Sequence, residues 1–101
     1  MGAAMQFKDR DIESFWIDCS GTASRRVPPE LRKPLMRKLQ MLDAAEASGC
    51  LGDLRIPPSN RLEKLSGNRE GRYSIRVNSR WCLCFSWTKR GIEEVEFVDY
   101  H

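Results

Sequence analysis

The strongest constraint on this chain is a strict alternation in its C-terminal third. Trp81, Leu83, Phe85 and Trp87 alternate with Arg80, Cys82, Cys84 and Ser86; just upstream, Tyr73, Ile75 and Val77 alternate with Arg72, Ser74 and Arg76. A period of two is the strand period, so each segment puts its large apolar side chains on one face and its polar ones on the other. Asn78-Ser79 links these two segments tightly, and Lys89-Arg90-Gly91 turns the chain into a third strand from Ile92 to about Val98. A small antiparallel sheet with one apolar face needs a second layer to cover it.

Helices supply that layer. Asp9 or Asp11 can cap a helix that runs to about Asp18 and buries Ile12, Phe15 and Trp16. A second helix is predicted from Pro28-Pro29-Glu30 to Gly49, with Leu31, Leu35, Leu39, Leu42 and Ala45 as its apolar stripe. Arg32, Lys33, Arg37 and Lys38 take its other sides, and Pro34 requires either a kink or a regular helix that starts close to it. Residues 50–60 are predicted as a loop punctuated by Pro57-Pro58-Ser59-Asn60, and Ala3 to Phe7 as a short edge strand. The expectation is one α+β domain over residues 1–101, its N-terminal helices packed on one face of a small antiparallel or mixed sheet. Residues 1–5 are read as partly a cloning remnant ahead of a native Met5.

Composition narrows the class. A chain of 101 residues buries roughly two-thirds of its unfolded surface, enough for one layered core. No apolar run reaches the ~18 residues of a membrane span, and the start lacks a signal-peptide layout, so a cytoplasmic protein is expected. The four cysteines, Cys19, Cys50, Cys82 and Cys84, are expected to be reduced. Strand geometry disfavours a bridge between Cys82 and Cys84, and that pair with His101 falls short of the four ligands of a structural zinc site.

Charge is placed unevenly. The net charge is +3, yet residues 25–90 hold 15 basic and 6 acidic side chains, while the last 11 residues hold four acidic and no basic ones. A basic middle suits a polyanion or an acidic protein partner. Alternation puts Arg72, Arg76 and Arg80 together on the face away from the helices, where three guanidiniums repel one another unless an anion or cross-strand acids such as Glu94 or Glu96 balance them. Asn68, Arg69 and Lys64 can extend the positive rim. The basic face of the second helix, Arg37 and Lys38 included, can meet a polyanion or an acidic partner.

The only histidine is the last residue, in the triplet Asp99-Tyr100-His101, directly after the apolar strand Val95-Glu96-Phe97-Val98. An arginine face beside an imidazole and a phenol suits RNA cleavage by its own 2′-hydroxyl. That reaction needs one group to take the 2′ proton, one to protonate the leaving 5′ oxygen, and cations for the phosphorane charge. His101 can act as acid or base, Tyr100 can transfer a proton or stack on a base, and Asp99 can orient His101 or hold the strand.

These residues carry a resemblance. Gly67-Asn68-Arg69-Glu70-Gly71-Arg72-Tyr73-Ser74-Ile75-Arg76-Val77, Trp81-Cys82-Leu83-Cys84-Phe85 and Val98-Asp99-Tyr100-His101 resemble the HigB toxins of the RelE superfamily. So do Val27-Pro28-Pro29-Glu30-Leu31, Leu42-Asp43-Ala44-Ala45 and Leu54-Arg55-Ile56-Pro57-Pro58, upstream. The resemblance implies a RelE-like fold and a ribosome-dependent endoribonuclease that needs no metal or other cofactor and cuts mRNA codons in the A site of the 70S ribosome. It implies a HigA-like helix-turn-helix antitoxin, with operator DNA bound through that partner. It places Asp99, Tyr100 and His101 in the active site.

Three departures go with it. The family usually has Trp-Arg-Leu at Trp81-Cys82-Leu83 and Leu-Lys-Gly at Leu65-Ser66-Gly67, and Glu63 stands where some members have a site histidine. Loss of one transition-state contact costs ~10²–10³ in rate, so a slowed enzyme is expected unless Arg80 or Arg76 substitutes. Arg80 is expected on the face of Cys82, about 7 Å along the strand. The rival reading is a catalytically weakened toxin that acts mainly as an antitoxin-binding co-repressor module. The gyrase-poisoning branch of the same superfold has no call for the terminal acid–base pair.

Overall fold

In the computed structural model, which describes residues 5–21, 26–65 and 71–99, two helices cover one face of a four-stranded sheet. Helix α1 spans Arg10–Ile17, and Asp9 caps it by accepting a hydrogen bond from the Ile12 backbone N–H at 3.3 Å. Of the three residues expected inside, Ile12 and Phe15 are fully buried and Trp16 packs partly exposed against them.

Pro34 does not kink the second helix. A 3₁₀ turn over Pro29–Leu31 leads into helix α2, Arg32–Ser48. Pro34 therefore falls in the first α-helical turn, where a missing N–H costs no internal hydrogen bond. All five stripe residues are buried, and Gly49 ends the helix in the left-handed conformation at φ 71°. Lys38 departs from the expectation of an exposed basic face. It is buried, and its ammonium donates to the Asn60 carboxamide oxygen, while Asn60 donates to the Leu54 carbonyl at 3.1 Å. Position 38 abuts the stripe residue Leu39 and faces the 3₁₀ turns Leu51–Arg55 and Pro58–Asn60 that occupy the predicted loop. Burial, followed by the neighbouring Arg37 charge, pulls the Lys38 ammonium below its ordinary value.

One strand of the sheet was not expected. Strands β1 (Glu63–Lys64), β2 (Arg72–Arg76), β3 (Trp81–Thr88) and β4 (Gly91–Asp99) lie side by side in chain order, each antiparallel to the next. Two residues without an apolar alternation leave no period to detect, so β1 is defined only by its pairing with β2. Phe7 forms a parallel bridge to Val95 beside β4, so the edge segment gives the sheet its mixed character; residues 1–4 lie outside the described part.

Ile75, Leu83, Phe85, Ile92, Val95 and Phe97 meet the helices in one core. The alternation fails once, in β4. Cys84 pairs with Glu96 and Ser86 with Glu93, so three steps along β4 match two along β3. The extra residue is a bulge, with Glu94 at φ 55°, and it lets Ile92 and Val95 both face the core.

Candidate active site

The outer face of the sheet carries the chemistry. Directly opposed residues share a face, so register places Arg76, Cys82 and Val98 in one row, and Glu63, Ser74, Cys84 and Glu96 in the next. Arg61, Glu63, Ser74, Arg76, Asn78, Trp81 and Cys82 line a pocket at this end of the sheet. Arg61 reaches it from the 3₁₀ turn before β1, held in the left-handed conformation at φ 45°. Among the described residues, neither Arg61 nor Arg76 has a carboxylate within ion-pair reach.

The three arginines expected to act together have separate roles. Arg72 is buried and neutralised within the fold: its guanidinium meets Glu96 at 2.6 Å and Glu94 at 3.8 Å and donates to the Ser86 hydroxyl at 3.3 Å and the Glu94 carbonyl at 3.5 Å. The β4 bulge aims that carbonyl inward. The cross-strand acids thus take Arg72, as one of the two sequence alternatives held, and it contributes a structural ion pair to the outer face. Arg72→Ala strands Glu96 without its main partner. A loss of about 2–3 kcal/mol is expected in chemical denaturation, below the fully buried case because Glu96 is 27% exposed.

Arg80 lies in the β2–β3 turn and grips Asp99. Its Nε donates to the two carboxylate oxygens at 2.9 and 3.0 Å, and a terminal nitrogen meets Oδ2 at 2.8 Å. The paired carboxylate favours the charged guanidinium and raises its already high pKa. Asp99 opposes Trp81, so Arg80 is drawn toward the end of β4 and away from the position beside Cys82 expected from parity. Trp81 stacks on Phe97 with ring centroids 4.5 Å apart. This stack and the bidentate pair fix the end of β4, from which Tyr100 and His101 continue.

The remaining residues divide by position. Glu63 is exposed on the pocket wall, with the charge of Arg76 across from it. Lys64 opposes Tyr73, which puts it on the other face; there it lines a second cavity with Leu51, Arg55 and Leu62 and does not extend the Arg76 rim. Arg37 is exposed on α2, whereas Lys38 is buried. Asn68, Arg69, Ser66, Tyr100 and His101 lie outside the described residues.

Sequence reading missed Arg61, and took Asn78 as a turn residue without placing it at the pocket. Asn78 accepts from the backbone N–H groups of Arg80 and Trp81 at 2.8 and 2.7 Å and shapes the turn under the pocket. The Asn78-Ser79 turn signal did place it between β2 and β3. No local pattern could have brought Arg61 next to Arg76.

Comparison with known proteins identifies the family and the fold. The family profile described as RelE-like toxin of type II toxin–antitoxin system HigB matches residues 5–101. Toxin HigB-1 of Vibrio cholerae is 43% identical over 98 residues, covering 97% of each chain. An uncharacterised protein of Haemophilus influenzae is 38% identical over 81 residues, 80% of this chain and 76% of that one. Among solved structures, a chain of the E. coli DinJ-YafQ toxin–antitoxin complex superposes with a TM-score of 0.64 at 13% identity, over 98% of this chain and 93% of that one. The YoeB dimer of Staphylococcus aureus gives 0.60 at 19% identity, over 100% and 99%. The structural likenesses establish a RelE-like α+β fold. With the profile and the V. cholerae relative, they show that the chain belongs to the HigB family of RelE-like toxins of type II toxin–antitoxin systems.

Proposed function

We propose that this toxin is an endoribonuclease that cleaves mRNA codons in the A site of the 70S ribosome by attack of the 2′-hydroxyl on the adjacent phosphate, without a metal. The observation that carries this reading is the pocket in which Arg61 and Arg76 face solvent with no carboxylate partner among the described residues. Two guanidiniums against the single carboxylate of Glu63 leave the pocket net positive and favour an anion, and a phosphodiester can accept from both.

Arg76 and Arg61 hold the scissile phosphate and neutralise the charge that builds on the phosphorane. The pair stands in for the arginine that Cys82 replaces. His101 and Tyr100 supply proton transfer, and Glu63 is a carboxylate base within the same pocket. Arg76 and Val98 share one row across the sheet, two strand spacings or about 10 Å apart, so the described end of β4 lies on the pocket's side of the sheet. Asp99 is a positioning residue, because Arg80 occupies both of its carboxylate oxygens. A HigA-like helix-turn-helix antitoxin is the proposed partner, with operator DNA bound through it, in the bacterial cytoplasm. The exposed cations of α2, Arg37 among them, suit the ribosome.

Primer extension on mRNA from cells expressing the chain tests this. Cuts at defined codon positions, lost when translation initiation is blocked, are the expected result. No cuts with antitoxin binding retained would instead support the co-repressor reading.

A further inference from the structure

Behind the Arg61–Arg76 pocket, on the inner face of the same strand pair, lies a cavity walled by Leu51, Gly52, Arg55, Leu62, Lys64 and Tyr73. Alternation along residues 61–64 separates the two recesses. Arg61 and Glu63 reach the outer pocket, Leu62 and Lys64 the inner cavity. β1 ends the strand order of the sheet, so its edge is the short way from one recess to the other.

The recesses differ in depth. The outer pocket encloses about 10 Å³, space for about one water, so it can take a phosphate oxygen but not a base. The inner cavity encloses about 260 Å³, just below the roughly 300 Å³ at which small-molecule clefts begin. Two leucines and the Tyr73 ring form its apolar walls, and that ring is stacked on Phe85 with centroids 6.1 Å apart. Buried Leu54 anchors the 3₁₀ turn that carries Leu51 and Arg55. No carboxylate lines the cavity; Asp53, next to Gly52, accepts from the Ser48 hydroxyl at 2.9 Å. Arg55 and Lys64 are exposed, and neither has an ion-pair partner among the described residues.

We propose that the inner cavity is a base subsite for the RNA substrate, seating an unstacked nucleobase against Tyr73, Leu51 and Leu62 while Lys64 and Arg55 hold the flanking phosphates; the assignment to substrate rests on the endoribonuclease reading.

Proteins hold single-stranded RNA in this way, with bases on aromatic rings and phosphates on cations. Continuity favours RNA over an acidic peptide. Arg61 and Arg76 on one side of β1, and Lys64 and Arg55 on the other, form a line of cations that a polyanion can follow over the sheet edge. The inner cavity then supplies affinity and choice of base beside the cut, while bond breaking stays at the outer pocket.

The purified full chain, without ribosomes, is titrated with a fluorescein-labelled single-stranded 2′-O-methyl oligoribonucleotide, which lacks the attacking hydroxyl, at several salt concentrations. Lys64→Ala and Arg55→Ala are each expected to weaken binding about three- to tenfold and to lower the salt slope by about 0.7. Arg90→Ala, at an exposed arginine of the β3–β4 turn, should stay within about twofold of the native chain. A 5-iodouracil in the same probe should photo-crosslink to Tyr73, and Tyr73→Leu should abolish that crosslink. Thermal melts check that each variant is folded; Arg55 and Lys64 are exposed, and leucine keeps an apolar group on Phe85. Native affinity and slope in folded Lys64→Ala and Arg55→Ala, or crosslinks only to other residues, overturn the subsite. Unchanged oligonucleotide binding with lost antitoxin co-purification also overturns it and assigns the cavity to an acidic protein partner. If the native chain makes no ribosome-dependent cuts while oligonucleotide binding still depends on Lys64 and Arg55, the endoribonuclease reading fails and the nucleotide site stands.

Discussion

His101→Ala, or a chain ended at Tyr100, is expected to lower mRNA cleavage by about 10²–10⁴, the range of a lost general acid or base. Growth inhibition should disappear with it. The only imidazole of the chain is the one side chain whose ordinary titration falls near neutral pH, so the pH–rate profile should lose a limb there. Two observations set the expectation. β4 is held as far as Asp99 by the Trp81–Phe97 stack and the Arg80–Asp99 pair. Asp99 is one register position beyond the row of Arg76 and Cys82. Antitoxin binding, measured by co-purification, should survive the substitution. Full toxicity of the truncated chain would remove His101 from the mechanism.

Arg76→Ala should reduce cleavage by about 10²–10³, as for loss of one donor to a transition-state oxyanion. Stability should stay within about 0.5 kcal/mol of the native chain, because Arg76 makes no ion pair with any described residue. The contrast with Arg72 sharpens the test. The two arginines share β2 and the same outer face, four positions apart, yet Arg72 lies against Glu96 and Arg76 lines the pocket. One substitution should therefore cost stability and the other turnover. Primer extension and denaturant melts on both variants separate these outcomes; normal cleavage by Arg76→Ala would move the phosphate site elsewhere.

Much of this fold was readable locally. The alternation in β2 and β3 sorted their faces correctly, and the five-residue stripe of α2 is the face that is buried. Asp9, Gly49 and Gly91 punctuate the chain where caps and turns were expected. Readings failed where the answer lay in a distant partner. β1 exists through its pairing with Ser74 and Tyr73, and the β4 bulge arises where one extra residue must fit against β3. Lys38 belonged to a basic face by its neighbours, and was buried because Asn60, 22 residues away, offers its carboxamide oxygen.

The same division holds at the site. Sequence alone determined the α+β layers and the polar outer face, and it put Asp99, Tyr100 and His101 side by side, because periods of two and 3.6 and covalent order are local properties. It also counted the cations. Only the tertiary structure decided which of them remain available. Arg72 is spent on Glu96, Arg80 on Asp99 and Lys38 on Asn60, leaving Arg61 and Arg76 together in the pocket. Ion pairing depends on approach within a few ångströms, and strand register and the bulge set that approach; the charges themselves do not.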